Sequence, residues 1–424
     1  MNTFTRKLKI VWKDRALRTR ILIVLGLLVA FRLLAAIPVP GVDHARLASF
    51  LENNQFFGIL NIFSGGGLST LSIMMLGVGP YITSSIIMQL LTMMVPSLKA
   101  LYQEEGEAGR RKFAQYSRLI TVPLALLQGF SILIVLQRQG VLSALSPFGF
   151  ATALITIMAG SLFLMWIGEV MTEFGISNGT SVIIFAGIVS ALPTHIGQFF
   201  FTFDVSQIPF LILFLVLGLL LIAAVVVITE AERPIPVTYA RQVRGETTTS
   251  GGVSTYVPLR VNQAGVIPII FALSILLLPQ LVGNLLSLTH KAWMLSLGKA
   301  LTSFSQTTWL YSIIYFVLVV VFTYFYTAVT FDPHAMSENL QKGGAFIPGI
   351  RPGQATEEYL GRIVSRITLV GALFLGVIAV LPLIVRAVTG ITAIALGGTA
   401  MLIVVSVILD IIKKIDAQIS MHEY

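Results

Sequence analysis

Phe57-Gly58-Ile59-Leu60-Asn61-Ile62-Phe63-Ser64-Gly65-Gly66-Gly67 is the stretch that decides the fold. Its first part, Phe57 to Ser64, is apolar but far too short to cross ~30 Å of hydrocarbon. The glycine triplet then breaks it, because glycine disfavours helix and permits positive φ. Without any charged linker the chain continues into a full-length apolar run from Ser72 to Val95. Two entries into the membrane in close succession are the reading. Irregular backbone at membrane depth survives only where it is buried in protein or lines a water-filled cavity. The short segment therefore implies a cavity, and a cavity implies transport.

The rest of the chain supplies the membrane. It has 424 residues, 56% hydrophobic and only 11% charged, with a mean hydropathy of +0.89. A globular domain carries about 25% charged residues, so the composition is that of an integral membrane protein. Apolar runs of at least ~17 residues predict ten spans, at 21–38, 72–95, 119–136, 148–168, 180–199, 207–228, 264–286, 309–329, 367–386 and 391–412. The runs are continuously apolar rather than alternating, which predicts helices and not barrel strands. Residues 1–38 resemble a signal peptide in their basic start. Their apolar stretch exceeds an h-region and ends in Ile37-Pro38-Val39-Pro40 without an A-x-A site, so 1–38 is expected to remain as the first span.

Net charge is +9, and its placement is more informative than its size. With the N-terminus inside, segments 1–20, 97–118, 169–180, 229–262, 329–366 and 413–424 hold 22 Lys and Arg residues, although 169–180 holds none. The opposite side holds 5: Arg46, Arg138, Lys291, Lys299 and Arg386. The positive-inside rule then places both termini in the cytoplasm. The long polar loops 97–118, 229–262 and 329–366 share that side. Within 229–262, β-like pieces from Ile235 to Val243 and Val253 to Val261 flank Gly245-Glu246-Thr247-Thr248-Thr249-Ser250-Gly251-Gly252, which predicts a protruding hairpin.

Enzymatic and ion-coupled chemistry find no support. All 19 acidic residues fall in loops or near span ends, whereas proton-coupled transport needs titratable groups within the bilayer. Only Arg32 sits inside a span, where it is expected to snorkel toward the outer headgroups. Gly65-Gly66-Gly67-Leu68-Ser69-Thr70 lacks the lysine of a phosphate loop, and neither an HExxH pair nor a GxSxG elbow occurs. The five histidines lie apart, without ligand spacing, and the chain has no cysteine. No catalytic residue, metal site or cofactor is expected. Ile82 and Ile86 lie one helical turn apart in the second span, and Ile184 and Ile188 repeat that spacing in the fifth. An apolar constriction of this kind blocks ions and water by dewetting. Plain packing also produces isoleucine pairs at helical spacing. The span pair carrying Gly77, Gly79 and Pro80 before Ile82, and Gly265 and Pro268 before Ile270, hints at inverted repeats.

Five motifs carry a resemblance. Pro80-Tyr81-Ile82-Thr83-Ser84-Ser85-Ile86-Ile87-Met88-Gln89-Leu90-Leu91 resembles the second span of the SecY/Sec61-alpha family. Glu105-Gly106-Glu107-Ala108-Gly109-Arg110-Arg111-Lys112, Ile183-Ile184-Phe185-Ala186-Gly187-Ile188, Val261-Asn262-Gln263-Ala264-Gly265-Val266-Ile267-Pro268 and Ile347-Pro348-Gly349-Ile350-Arg351-Pro352-Gly353 follow in the family's order. The resemblance implies an all-α polytopic membrane protein. Its ten transmembrane helices would form two pseudo-symmetric inverted five-helix halves, 1–199 and 200–424, around a central pore. It implies a passive gated channel through which unfolded preproteins are secreted and membrane proteins inserted. A pore ring of Ile82, Ile86, Ile184, Ile188, Ile270 and Ile403 follows by position. So does a plug within 57–71, centred on Ile62, Phe63, Ser64, Gly65, Gly66 and Gly67. Signal sequences would leave sideways to membrane lipids between spans two and three and spans seven and eight. Implied partners are SecE, SecG, the motor ATPase SecA and the ribosome. The implied location is the bacterial cytoplasmic membrane.

Arg351 matches the family's partner-engaging arginine, with Arg110, Arg111, Arg241 and Arg244 as further candidates. The hairpin tip departs from the pattern. Many family members carry basic residues there, and this chain has none within 245–252, so ribosomal RNA gains little attraction at the tip. Two other functions stay in view. A secondary transporter for a small solute would need a polar midplane site, which the spans lack. A membrane scaffold leaves the double entry unexplained.

Overall fold

The computed structural model describes residues 13–40, 46–47, 50, 61, 64–103, 105–143, 145–201, 208–239, 254–286, 291–304, 308–389 and 397–423. Its helices are α1 (Arg15–Ala35), α2 (Gly79–Met94), α3 (Pro96–Gln103), α4 (Gly106–Arg138), α5 (Pro147–Phe174), α6 (Gly179–Phe201), α7 (Ile208–Glu230), α8 (Ile267–Leu286), α9 (Ala292–Phe304), α10 (Thr308–Thr330), α11 (Pro333–Lys342), α12 (Gln354–Thr389) and α13 (Gly397–Glu423). Strands β1 (Glu232–Tyr239), β2 (Ser254–Arg260) and β3 (Ala345–Phe346) form one sheet in the order β2-β1-β3.

The helices are amphipathic in the inverted sense. On α1 the exposed stripe is Leu22, Leu25, Val29 and Leu33, while α10 exposes Ile313, Val317 and Val321 at four-residue spacing. The middle of the interior face of α4, by contrast, holds Ser117, Thr121, Ala125, Gln128 and Gly129, with Phe113 before them and Ile132, Leu133 and Leu136 after. Large apolar residues outward with small and polar residues inward is the pattern expected of helices packed within lipid. Among the described residues five helical stretches are long and apolar enough to cross a bilayer: Gly106–Arg138, Pro147–Phe174, Ile267–Leu286, Trp309–Lys342 and Gln354–Val385. A sixth is formed if α2 and α3, bent by 115° at their junction, count as one span.

Two expectations are corrected here. The run 72–95 is not a single helix: residues 64–78 are turns, and helix begins only at Gly79. Gly77 has a φ of 59°, and Pro80, at the start of α2, suits a first turn whose N–H groups have no partner. Apolar composition cannot distinguish a buried turn from a buried helix. The presumed loop 97–118 is also largely helical, since α3 and the first third of α4 occupy it. The fold, moreover, is helical with one small sheet. A hairpin within 229–262 was expected, but β3 was not.

By internal contacts the chain divides into two compact units. The first comprises Met1–Pro209, Leu273–Tyr311 and Val385–Tyr424. Within it α2 packs on α4, α4 on α5, α5 on α6, α6 on α13, and α1 on α5. Leu68, Leu71, Met75 and Leu76 from the turns share an apolar cluster with Ile132, Leu133 and Leu136 of α4 and Ile157 of α5.

The second unit comprises Phe210–Ala272 and Ser312–Ile384. Ile235 and Val237 alternate with exposed Pro234 and Pro236 along β1, the period expected of a half-buried strand. They pack with Leu259, Ala345, Ile347, Leu360 and Ile363. Pro234 faces Pro258 across the β1–β2 ladder, and Pro236 faces Tyr256. Neither proline of a facing pair can donate, so this is a non-hydrogen-bonded position and the backbone groups there point outward. By the same alternation Thr238 turns its groups outward too, and there Phe346 of β3 pairs with it.

Candidate functional site

The turns at 64–78 hold a backbone that lipid could not solvate, so each polar group needs a protein partner. Gly65 and Gly66 take φ values of 65° and 84°, the left-handed geometry the glycine triplet was expected to allow. Ser64 Oγ accepts from Leu68 N at 3.0 Å and donates to Asn61 O at 2.9 Å. Ser69 Oγ donates to Gly66 O, and Thr70 Oγ1 to Ala35 O at 3.0 Å. Val39 N donates to Leu71 O and Ile73 N to Ile37 O, pinning the turns to the chain that follows α1. From α5, Ser161 Oγ donates to Gly77 O at 2.9 Å. Hydroxyl side chains thus replace water.

Glycines set how closely the helices approach these turns. A Cβ on Gly160 of α5 would lie 2.1 Å from Ile73 O. A Cβ on Gly187 of α6 would lie 2.1 Å from Gly65 Cα. Gly187 stands between Ile184 and Ile188, so the Gly65 turn rests on the stretch of α6 that carries both isoleucines. Its opposite face meets α1: Arg32 Nη1 donates to Gly65 O at 3.1 Å, and the fully buried Phe31 ring lies where a Cβ of Gly65 would be. The snorkelling expected of Arg32 is therefore corrected, for its guanidinium turns inward to a backbone carbonyl. Phe31, Gly160 and Ser161 were not anticipated; Phe31-Arg32 and Gly160-Ser161 are local breaks in otherwise plain apolar runs, and that was their only signal.

Ile82, Ile86, Ile184, Ile188, Ile270 and Ile403 are each 8% exposed or less. Ile82 and Ile86 sit on α2, Ile184 and Ile188 on α6, and Ile403 on α13, all in the first unit; Ile270, on α8, falls in the second. Ser177, just before α6, donates to Asp410 of α13 at 2.6 Å, and Lys414 pairs with the same carboxylate at 2.9 Å. Ser64, Gly65, Gly66 and Gly67 are placed as given above, whereas Ile62 and Phe63 lie outside the described residues.

Arg351 is exposed on a braced turn. Gly349 and Gly353 take φ values of 82° and 98°, Thr356 Oγ1 donates to Arg351 O at 2.9 Å, and Ser337 Oγ donates to Gly353 O at 2.7 Å. Among the described residues the guanidinium has no ion partner. Arg110 and Arg111 are exposed on the second turn of α4. Arg241 and Arg244 lie outside the described residues. No group of His, Asp or Glu among the described residues is arranged to hold a metal ion.

The architecture defines the class: a helical, polytopic membrane protein. Its distinguishing element is a turn-rich segment packed among its helices. A family profile described as SecY matches residues 72–412. A protein translocase subunit SecY from a Synechocystis strain is 41% identical over 419 residues, covering 96% of this chain and 93% of that protein. Two solved structures share the fold. One is described as showing that the plug domain of a SecY protein stabilises the closed state of the translocation channel and maintains a membrane seal; it has a TM-score of 0.63 at 19% identity, over 92% of this chain and 89% of that one. The other is Sec61 in a canine ribosome–channel complex from the endoplasmic reticulum, with a TM-score of 0.61 at 18% identity, over 93% and 90%. The chain belongs to the SecY family. It is a protein translocase subunit, a channel component rather than an enzyme.

Proposed function

We propose that this subunit forms the gated pore of a bacterial cytoplasmic-membrane translocase, closed by the segment 57–71 as a plug. The observation that carries the reading is the seating of Gly65 on Gly187, between Ile184 and Ile188. A removable segment rests on the very helix turn that supplies two candidate constriction residues. Ile82, Ile86, Ile184, Ile188, Ile270 and Ile403 are the proposed ring, which excludes ions and water while closed. Ten spans in two inverted halves, 1–199 and 200–424, with both termini cytoplasmic, fit the charge asymmetry. The 41% identity to a cyanobacterial translocase subunit supports the bacterial setting.

The channel itself supplies no energy, so partners must. SecE and SecG are the proposed neighbours in the membrane, and SecA or the ribosome the cytoplasmic drivers of preprotein movement. The canine relative, seen in a ribosome–channel complex, supports a ribosome-docking face. Arg351, exposed and without an ion partner among the described residues, suits bidentate capture of a partner's carboxylate or phosphate; Arg110, Arg111, Arg241 and Arg244 are secondary contacts. Lateral exit to membrane lipids, between spans two and three and spans seven and eight, serves signal sequences and inserting segments.

Reconstitution with SecE, SecA, ATP and a signal-bearing preprotein tests the whole. Protected preprotein is expected in vesicles containing the channel. Its absence, alongside a working control channel, overturns the function. Deleting Leu60 to Gly67 should leave insertion intact and make the closed channel leak. Ile86→Asn or Ile403→Asn should raise leak and relax the signal requirement. A deletant that seals like the parent overturns the plug, and unchanged leak in both ring variants overturns the ring.

A further inference from the structure

Arg32 has no role in the pore as proposed, yet it is the costliest residue to place where it stands. A guanidinium within an apolar helix demands a reason. Among the described residues Arg32 is the only charged one lining a 330 Å³ groove along α1, whose other walls are Leu25, Leu28, Val29, Leu33 and Ala36. Among the described residues its hydrogen bond to protein is the one to Gly65 O, at 3.1 Å. The guanidinium lies 5.6 Å from the centroid of the adjacent Phe31 ring, within cation–π range. The same ring presses beneath Gly65. Arg32 Nη1 also lies 3.7 Å from where a Cβ of Gly66 would be, and Ser190 Oγ 4.0 Å from it.

The Gly65 turn is therefore gripped from two sides by different forces. On α6 the contact is backbone against backbone, with no side chain on either partner. It constrains position but offers only dispersion, which is small for so few atoms. On α1 the contact is a charge-assisted hydrogen bond, roughly twice as strong as a neutral one. At Gly65 itself the Arg32 bond does the holding and α6 merely accommodates, while Thr70–Ala35 and Val39–Leu71 tie the later turns to the end of α1.

We propose that Arg32 is a positioning residue, a latch whose hydrogen bond to the Gly65 carbonyl keeps the turn seated on α6. This rests on the reading of the segment as a plug. Opening requires the turn to leave Gly187, and it can leave only when the Gly65 carbonyl parts from Arg32. The latch sits on α1, remote from the cytoplasmic face, so it senses displacement of the turn and not the docking of a motor.

The test uses the absence of cysteine from the chain. Gly66→Cys with Ser190→Cys is introduced into the full channel complex in vesicles, and oxidative crosslinking is timed with Arg32, Arg32→Met and Arg32→Lys. Methionine preserves length and apolar packing along the groove and removes the donor. Crosslinking is expected to slow about ten-fold with Arg32→Met, the worth of one charge-assisted hydrogen bond, with partial rescue by Arg32→Lys. Closed-channel conductance should rise in the same order without the cysteines, which keeps the test valid if the Gly66→Cys substitution strains the left-handed turn. Parental crosslinking and conductance in Arg32→Met overturn the latch, as does a failure of lysine to rescue either. Continued translocation through a fully crosslinked channel overturns the plug reading alone, because the dependence of crosslinking on Arg32 is scored separately.

Discussion

The turns at 64–78 and the sheet of β1, β2 and β3 are both insertions among helices, and the turns carry a constraint that the sheet does not. The turns bury Leu68, Leu71, Met75 and Leu76 in an apolar cluster, and they add backbone approach at Gly160 and Gly187 and hydroxyl or guanidinium bonds to their carbonyls. The sheet relies on an apolar cluster beneath it, from Ile235 to Ile363. A side-chain cluster can relax around a lost methyl group. Two backbones in contact cannot make room for a new one. Small residues therefore add a sensitivity in the first region to the one that large buried residues carry in both.

The largest effect should come from Gly187→Val. Its Cβ would stand 2.1 Å from Gly65 Cα, so the turn must leave α6, and the closed channel should conduct continuously in a planar bilayer. A tight channel would break the contrast at once. Next is Arg351→Glu on the braced turn of the second region. Complex assembly should be normal, while SecA-driven translocation falls at least ten-fold; wild-type rates would remove Arg351 from the partner surface. Ile347→Ala should cost about 2–5 kcal/mol locally, read as faster proteolysis within the sheet region at unchanged closed-channel conductance. Ser161→Ala leaves the Gly77 carbonyl without its donor, about 1–3 kcal/mol, and should lower the melting temperature of the purified complex with the channel still tight. The smallest is Asp332→Ala. The carboxylate caps α11 through His334 N and Ala335 N, and its loss should cost about 1 kcal/mol, visible as faster amide exchange at that helix start alone.

Sequence reading served unequally across these regions. The glycine triplet announced left-handed backbone, and Gly65 and Gly66 adopt it. The composition of the β-like pieces around a polar, glycine-rich tip announced the hairpin, and β1 and β2 pair as antiparallel strands. The 72–78 turns were read as helix because hydropathy counts apolar residues and not the bonds of their backbone. Arg32 was sent outward because its partner is 33 residues away, and nothing local names Gly65. The pairing of β3 rests on two residues, too few for any period. Isoleucine spacing put Ile82 with Ile86, and Ile184 with Ile188, on shared helices, and all four are buried. Their work as a constriction remains the province of the conductance tests above.

Proline placement on the sheet has one more consequence. Pro258 on β2 and Pro234 and Pro236 on β1 turn their missing N–H groups toward the sheet's open margins, and β3 occupies only the stretch at Thr238 and Tyr239. An extended chain seeking to join as a further strand meets a ladder with rungs removed. Strand addition to an open ladder is one way extended chains bind to sheets. The prolines make this sheet a poor acceptor for such a strand.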